Sequence, residues 1–226
     1  MLESVLIILT AYLWGGVPSG YIVGQYLKGI DLRAYGSGNL GASNLVEHVG
    51  RLTGFGVGVF DCVGKGTLTV VVTDLMGQTL TVQALAGLTA IAGHSWSPYL
   101  RFTGGRGVAT TIGVLLGLLM WKEMLAGVFL IGLIGRAVMR DTAFWTLASL
   151  ILLPLLAYAF GEPIELVYMS SGISALLVLK RVTANWKRPG QEYNLPQTLA
   201  YRVLWDRDVP RNVEWTTRRP PPAGED

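Results

Sequence analysis

Long apolar stretches alternate with short polar loops along most of the chain, and this pattern predicts membrane-spanning helices. A helix that crosses the hydrocarbon core of a bilayer needs about 20 mostly apolar residues. Apolar stretches occur in seven places, and several of them are shorter than this, at approximately residues 1–27, 52–74, 79–93, 107–121, 124–138, 142–160 and 164–179. We therefore predict an all-α polytopic membrane protein with about seven transmembrane helices.

The amino-acid composition also indicates a membrane protein. Hydrophobic residues make up 51% of the 226 residues and charged residues only 15%, whereas a soluble domain carries about 25% charged residues. Lipid must therefore cover part of the surface, and the bilayer is a predicted partner. The net charge of +3 is better explained by basic cytoplasmic loops than by nucleic-acid binding. The single cysteine, Cys62, excludes a disulfide framework and a cysteine-based zinc site.

Lysine and arginine lie almost entirely in one set of loops, which predicts the orientation of the chain. These loops carry Lys28, Arg33, Arg51, Arg101, Arg106, Arg136, Arg140 and the tail from Lys180 onward. The opposite loops carry only Lys122. Because basic residues favour the cytoplasmic side, we expect an outside N-terminus and a cytoplasmic C-terminus in the plasma (inner) membrane. The membrane domain would cover residues 1–186 and a polar cytoplasmic tail residues 187–226.

Three polar segments fall on the predicted cytoplasmic side. They read YGSGNLGASN at residues 35–44, GHSWSPYLRFTGGRGVAT at residues 93–110 and LKRVTANWKR at residues 179–188. Membrane anchoring does not require segments of this kind. Because they are small, glycine-rich or basic and share one face of the membrane, we expect them to form a single site.

The sequence GGRGVAT, which ends the second segment, has the features of a phosphate-binding loop. Gly104, Gly105 and Gly107 let backbone N–H groups approach an anion, and the helix that follows adds the positive end of its dipole. Arg106 supplies a bidentate phosphate partner and Thr110 a hydroxyl. The pattern is not GxxxxGK[ST], which argues against a P-loop nucleotide site. A tight glycine turn with Arg106 reaching toward lipid headgroups remains an alternative.

The first segment offers hydroxyl and amide groups on a glycine-rich backbone. Ser37, Asn39 and Asn44 can form hydrogen bonds with phosphate or with glycerol hydroxyls. Gly38 and Gly41 permit unusual backbone angles. The alternative is an ordinary polar surface loop.

Three ionisable residues lie within or at the edge of predicted spans. Asp61 and Lys65 are four residues apart, so they share a helix face and can form an ion pair. A structural pair and a direct substrate role are both open, because charges within a span usually face protein or a water-filled cavity. His94 is either a general base or an interfacial histidine bonded to a carbonyl group.

The three segments resemble, in order and spacing, the motifs of bacterial membrane-integral glycerol-3-phosphate acyltransferases that use acyl phosphate, the PlsY family. The resemblance covers roughly residues 1–190. It implies a seven-helix protein with its motifs on the cytoplasmic side. It also implies transfer of a fatty acyl group from acyl phosphate to the 1-hydroxyl of glycerol 3-phosphate, which gives lysophosphatidic acid in phospholipid biosynthesis. Neither a metal nor another cofactor is implied.

The resemblance also implies roles for individual residues. Ser37, Arg106 and His94 are the candidate catalytic residues. The candidate substrate- and phosphate-binding residues are Gly38, Asn39, Gly41, Asn44, Gly104, Gly105, Gly107, Thr110, Arg181 and Asn185. An acyl phosphate is already activated, so alignment and charge neutralisation serve in place of a Ser–His–Asp triad.

Three positions depart from the family pattern. Glu47 stands where an arginine usually follows the first motif, Arg106 replaces a lysine, and Val182 stands where a histidine is common. Loss of one charge-assisted phosphate contact costs about 1.5–3 kcal/mol. Two alternatives therefore stay open. One is a non-catalytic lipid- or phosphate-binding protein or transporter on the same scaffold, and the other is an acyltransferase that uses another polyol phosphate.

Overall fold

Helices build the structure, a computed structural model that describes residues 1–186 and 193–220. The α-helices are α1 Leu2–Gly15, α2 Ser19–Lys28, α3 Ala42–His48, α4 Arg51–Val59, α5 Leu68–Leu75, α6 Leu80–Ser95, α7 Val108–Gly117, α8 Trp121–Val128, α9 Thr142–Ala159, α10 Ile164–Thr183 and α11 Leu195–Trp205. Two π-helical segments continue the α-helices. Phe60–Thr67 joins α4 to α5, and Phe129–Val138 extends α8.

Four helical stretches are long and apolar enough to cross a membrane. They are Leu2–Lys28, Arg51–Leu75, Thr142–Ala159 and Ile164–Thr183. The other three predicted spans coincide with α6, α7 and the extended α8, which are shorter or carry more charge. The all-α class is confirmed over the described residues. The number of crossings and the orientation of the termini stay predictions.

Helices α1 and α6 pack closely because small residues remove side chains from their interface. Gly15 of α1 lies against the backbone of Ala90, and Gly93 of α6 lies against the backbone of Tyr12. A Cβ atom at either glycine would overlap main-chain atoms of the other helix. The Tyr12 hydroxyl also donates to the Trp96 carbonyl at 2.7 Å, which fixes α1 beside the start of the second polar segment.

The π-helical segment Phe60–Thr67 packs against α7 in the same way. Gly66 lies against the backbone of Thr110, and Gly113 lies against the backbone of Cys62. The Thr67 hydroxyl donates to the Gly113 carbonyl at 2.9 Å. Helix α7, which begins directly after the glycine-rich loop, is therefore held against the second span.

Large apolar side chains fill the space between α5, α6, α7, α9 and α10. The cluster includes Val70, Ile91, Val114, Leu150 and Ile173. Many other large apolar side chains stay exposed on outer helix faces, an arrangement that would be unfavourable in water. Exposed apolar faces of this extent are expected where lipid surrounds the helices.

The tail packs back onto the membrane domain through α11, which contacts α9 and α10. Arg181 of α10 donates to the carbonyl groups of Val203 and Ala143, both at 2.8 Å. Arg202 of α11 donates to the Val182 carbonyl at 2.9 Å. These bonds place the tail beside the third polar segment.

The last described residues return to the first polar segment. The Gly36 N–H donates to the Arg218 carbonyl at 2.8 Å, and Nε and Nη2 of Arg218 donate to the Gly36 carbonyl at 3.1 and 2.6 Å. The guanidinium carbon of Arg218 lies 3.4 Å from the ring centre of Trp215. This two-way contact joins the end of the chain to the loop that carries Ser37.

Candidate functional site

The three polar segments meet at the side chain of Asn185. Its Nδ2 donates to the carbonyl oxygens of Gly38 at 3.3 Å and Gly104 at 3.2 Å. Its Oδ1 accepts from the Gly104 N–H at 3.0 Å and from Nζ of Lys180 at 2.6 Å. The φ angle of Asn185 is 59°, in the left-handed region that asparagine adopts more readily than most residues. One amide therefore joins all three segments.

The glycine loop, defined here as residues 103–107, is held in shape by neighbouring backbone. The Gly105 N–H donates to the His94 carbonyl at 3.0 Å. Gly104 lies so close to the same carbonyl that a Cβ atom there would overlap it. Gly107 has a φ angle of 78° and is the N-cap of α7, so the unpaired N–H groups of the first helical turn lie directly beside the loop.

Arg106 is held by acceptors from all parts of the site. Its Nε lies 2.8 Å from Oδ1 of Asp206 and donates to Oδ2 at 2.9 Å, and its Nη1 donates to the Lys180 carbonyl at 3.2 Å. The side-chain amide of Asn39 lies between Arg106 and Gly104. In the orientation that satisfies both neighbours, its oxygen accepts from Nε of Arg106 at 3.1 Å and its nitrogen donates to the Gly104 carbonyl at 3.1 Å. With 16% of its side chain exposed, Arg106 is partly shielded from water.

Asn44 organises the first segment from within. Its Nδ2 lies within hydrogen-bonding distance of three carbonyl oxygens, those of Leu32 at 3.2 Å, Tyr35 at 3.0 Å and Asn39 at 2.9 Å. Ser37 is half-buried, and its hydroxyl makes no hydrogen bond to another described residue. Asn44 is therefore committed to the loop, whereas the Ser37 hydroxyl is available to a ligand.

The remaining predicted positions of the first segment differ in their surroundings. Gly38 is buried and has a φ angle of 67°, a conformation that favours glycine. Gly41 is the N-cap of α3, and no atom lies within 4 Å of where its Cβ would stand. Glu47 is exposed on α3, so its carboxylate does not occupy a buried phosphate site.

A buried cluster of polar side chains surrounds Asp61. Oδ1 of Asp61 accepts from the Ser19 hydroxyl at 2.7 Å and from Nζ of Lys65 at 2.7 Å. Nδ1 of His94 lies 3.7 Å from the same oxygen. Ser19, Lys65 and His94 also line a small pocket that reaches the glycine loop at Gly105. The predicted pairing of Asp61 with Lys65 is confirmed, and His94 is added to it.

Three residues of this region were missed by reasoning from sequence. Lys180 is fully buried, and its Nζ donates to the Ser95 carbonyl and lies 5.1 Å from the ring centre of Trp96. The available signal was a pair of basic residues, Lys180 and Arg181, at the end of an apolar helix. Ser19 follows the helix-breaking sequence GGVP, which marks a change of direction within the first span. Asp206 lies in the polar tail, and nothing in its local sequence marks it.

Two predicted residues are not part of this arrangement. Arg181 uses its guanidinium on carbonyl groups of α9 and α11. Thr110 is fully buried in α7, and its hydroxyl has no hydrogen-bond partner among the described residues. The basic residues at 187 and 188, which end the third segment, lie outside the described residues.

The assembled groups suit the binding of phosphorylated molecules. Backbone N–H groups, amides, a hydroxyl and a guanidinium are the donors that phosphate oxygens accept. The His94 ring beside Asp61 adds a group that can accept a proton. Within residues 1–186 and 193–220, no three histidine, cysteine, aspartate or glutamate side chains come together as metal ligands would. Fold and site together define a helical membrane protein that handles phosphate-bearing substrates.

Comparison with known proteins identifies the family. The family model described as glycerol-3-phosphate acyltransferase matches residues 5–191. The chain belongs to this glycerol-3-phosphate acyltransferase family, and the resemblance inferred from the three polar segments is confirmed.

Relatives match over most of their length. Glycerol-3-phosphate acyltransferase 5 of Dehalococcoides mccartyi (strain ATCC BAA-2266 / KCTC 15142 / 195) is 33% identical over 230 residues, which cover 99% of this chain and 97% of the relative. Glycerol-3-phosphate acyltransferase of Prochlorococcus marinus (strain MIT 9215) is 39% identical over 202 residues, which cover 86% of this chain and 98% of the relative.

Solved structures agree with this assignment. The crystal structure of PlsY, an integral membrane glycerol 3-phosphate acyltransferase, in its glycerol 3-phosphate form has a TM-score of 0.72 and 28% identity, and the match covers 79% of this chain and 88% of PlsY. The lysophosphatidic acid form has a TM-score of 0.70 at 24% identity and supports the fold.

Proposed function

We propose that this protein transfers a fatty acyl group from acyl phosphate to the 1-hydroxyl of glycerol 3-phosphate and releases lysophosphatidic acid for phospholipid biosynthesis. One observation carries the proposal: in a chain of this family, Asn185 joins the glycine loop to the first polar segment, with Arg106 alongside. Membership of the family disfavours a non-catalytic or transport role. The proposed site faces the cytoplasm, and the protein spans the plasma membrane seven times.

The phosphate groups bind at the glycine loop in this proposal. The Gly107 N–H and the first turn of α7 provide donors, and the Nη atoms of Arg106 add charge. Gly104 and Gly105, whose N–H groups are already bonded to Asn185 and to the His94 carbonyl, give the loop its shape. Ser37 and Asn39 hold glycerol 3-phosphate on the opposite side of the loop. Gly38, Gly41, Asn44 and Asn185 shape this surface, and Arg181, whose guanidinium bonds to carbonyl groups of α9 and α11, supports it from α10.

The reaction requires alignment more than activation. The 1-hydroxyl oxygen of glycerol 3-phosphate attacks the acyl carbonyl carbon, the bond between that carbon and the phosphate oxygen breaks, and inorganic phosphate leaves. Donors fixed before the reaction stabilise the negative charge that develops on the acyl oxygen and the phosphate. The hydroxyl proton passes to a phosphate oxygen or to the His94 ring, which Asp61 holds at 3.7 Å.

An apolar groove next to the glycine loop accommodates the acyl chain. A narrow groove begins at Val108 and Thr111 of α7 and continues along Leu115, Met124 and Leu153. Val108 is the first residue of α7 and directly follows the glycine loop. A fatty acid extending from a phosphate at the loop therefore enters a lining of matching polarity.

The test is turnover by the purified full-length protein in detergent. With palmitoyl phosphate and glycerol 3-phosphate as substrates, release of lysophosphatidic acid is expected. Arg106→Ala is expected to lower the rate about ten- to hundredfold or more, because it removes a charge-assisted phosphate contact, while the melting temperature stays near that of the wild type. Arg136→Ala, at an exposed arginine away from the loop, is the matched control. An active Arg106→Ala variant would contradict the site, and an inactive wild type would contradict the reaction.

A further inference from the structure

The C-terminal tail contributes a carboxylate to the site from outside the part of the chain that the family model covers. The family match ends at residue 191, and Asp206 follows the last residue of α11. Helix α11 is fixed by Arg181, which donates to Val203, and by Arg202, which donates to Val182. Asp206 is therefore held in place by contacts that do not involve its own side chain.

Asp206 forms an ion pair with Arg106, the one cationic residue of the glycine loop. Both carboxylate oxygens lie within 2.9 Å of Nε of Arg106, and the exposed fractions of the two side chains are 16% for Arg106 and 22% for Asp206. Lys180 and Arg181 donate to uncharged oxygen atoms. Arg106 is thus the cation of the glycine loop whose charge is offset by a carboxylate in direct contact, as the charge of Lys65 is by Asp61 in the neighbouring cluster.

We propose that Asp206 competes with phosphate for Arg106 and thereby weakens the affinity of the site for its phosphorylated substrate. The proposal rests on the proposed function of Arg106 as a phosphate ligand. A phosphate group that reaches the guanidinium must either displace the carboxylate or bind beside it. A carboxylate and a phosphate dianion about 6 Å apart lower the binding constant about tenfold even in the dielectric of bulk water.

The experiment compares wild type with Asp206→Asn in the full-length detergent-purified protein. Asparagine keeps the shape and an acceptor oxygen for Nε of Arg106 but removes the charge. We expect the dissociation constant of glycerol 3-phosphate or of inorganic phosphate, measured by titration calorimetry without acyl donor, to fall about fivefold to tenfold. The KM for a phosphorylated substrate is expected to fall with it.

Two variants control for other effects of the substitution. Asp206→Glu keeps the charge and is expected to retain a dissociation constant near that of the wild type. Glu214→Gln removes one negative charge from the exposed part of the same tail, where the Glu214 carboxylate contacts Thr217, and should also leave binding unchanged. Equal tightening in Glu214→Gln would show a general charge effect and overturn the proposal.

The direction of the change separates competition from a structural role. A carboxylate that only positions Arg106 or secures the tail gives weaker or unchanged phosphate binding in Asp206→Asn, together with a lower melting temperature, and either result overturns the proposal. Calorimetry needs no turnover, so tighter phosphate binding supports competition even in a protein that transfers no acyl group. A wild type that binds phosphate but makes no lysophosphatidic acid contradicts the proposed reaction alone.

Discussion

Replacement of Asp61 by asparagine leaves the Lys65 ammonium without its charge partner in the protein interior. The two charged groups are 2.7 Å apart, and their side chains are 1% exposed for Lys65 and 2% for Asp61. Breaking a buried ion pair from one side costs about 3–5 kcal/mol, because the remaining charge is neither hydrated nor compensated. At about 2–4 °C per kcal/mol for a chain of this size, the melting temperature is expected to fall by about 6–20 °C.

The assay is thermal unfolding of the purified full-length protein in detergent. Asp74→Asn is the matched control, because it makes the same substitution in the same helical stretch at an exposed residue that accepts a hydrogen bond from Gln83. It should shift the melting temperature by less than about 2 °C. Asp61→Leu combined with Lys65→Met is expected to restore the melting temperature, since an apolar pair of similar volume is often as stable as a buried ion pair. A decrease of less than about 3 °C in the melting temperature of Asp61→Asn would refute a stabilising role for the pair.

The activity of the double variant separates the two roles that the sequence left open for this pair. We expect acyl transfer to return together with the melting temperature, because a structural pair contributes through the stability of the fold and not through a contact with a substrate. A variant with a restored melting temperature and no acyl transfer would instead show that the charged groups themselves act in the site, on a substrate or by positioning Ser19 and His94.

Two further substitutions test the packing of the site and of the membrane interior. Gly104→Ala is expected to lower the turnover rate about tenfold or more, since the added Cβ would overlap the His94 carbonyl. Gly132→Ala, with open space around it, is the control and should retain the wild-type rate. Equal turnover rates in the two variants would contradict a tightly packed loop. Glu123→Gln is expected to raise the melting temperature by about 2–6 °C, because both Glu123 oxygens are buried without a hydrogen-bond partner among the described residues. The pKa of Glu162 is raised first by the burial of Glu162 itself and then by the negative charge of Glu123. A lower melting temperature in Glu123→Gln would show that the carboxylate has a stabilising partner.

Helix positions could be predicted from sequence because the length of an apolar run reflects local chemistry. The stretch predicted at 142–160 is the helix Thr142–Ala159, and the stretch predicted at 164–179 is the helix Ile164–Thr183. The interruption of the first span between Gly15 and Ser19 was not predicted, although Pro18 lacks the N–H that a continuous helix needs. The π-helical segments were not predicted, and the packing of Phe60–Thr67 on α7 through Gly66 and Gly113 joins positions distant in sequence.

The candidate site divides in the same way. The glycine loop and the Asn185 segment carry residue types whose chemistry is visible locally, and the structure brings them together. The contact between Arg106 and Asp206 spans 100 positions in the sequence, and the one between Lys180 and Ser95 spans 85. No short-range pattern encodes such contacts, because they arise only after α10 and α11 have packed.

The hydrogen bonds between Gly36 and Arg218 can form only after residue 218 has been synthesised. The two residues are 182 positions apart, and ribosomes extend a chain by about 5–20 residues per second, so the first polar segment waits about 9–36 s for its partner after it has been made. The loop that carries Ser37 therefore gains this contact only after residue 218 has been made, long after the loop itself.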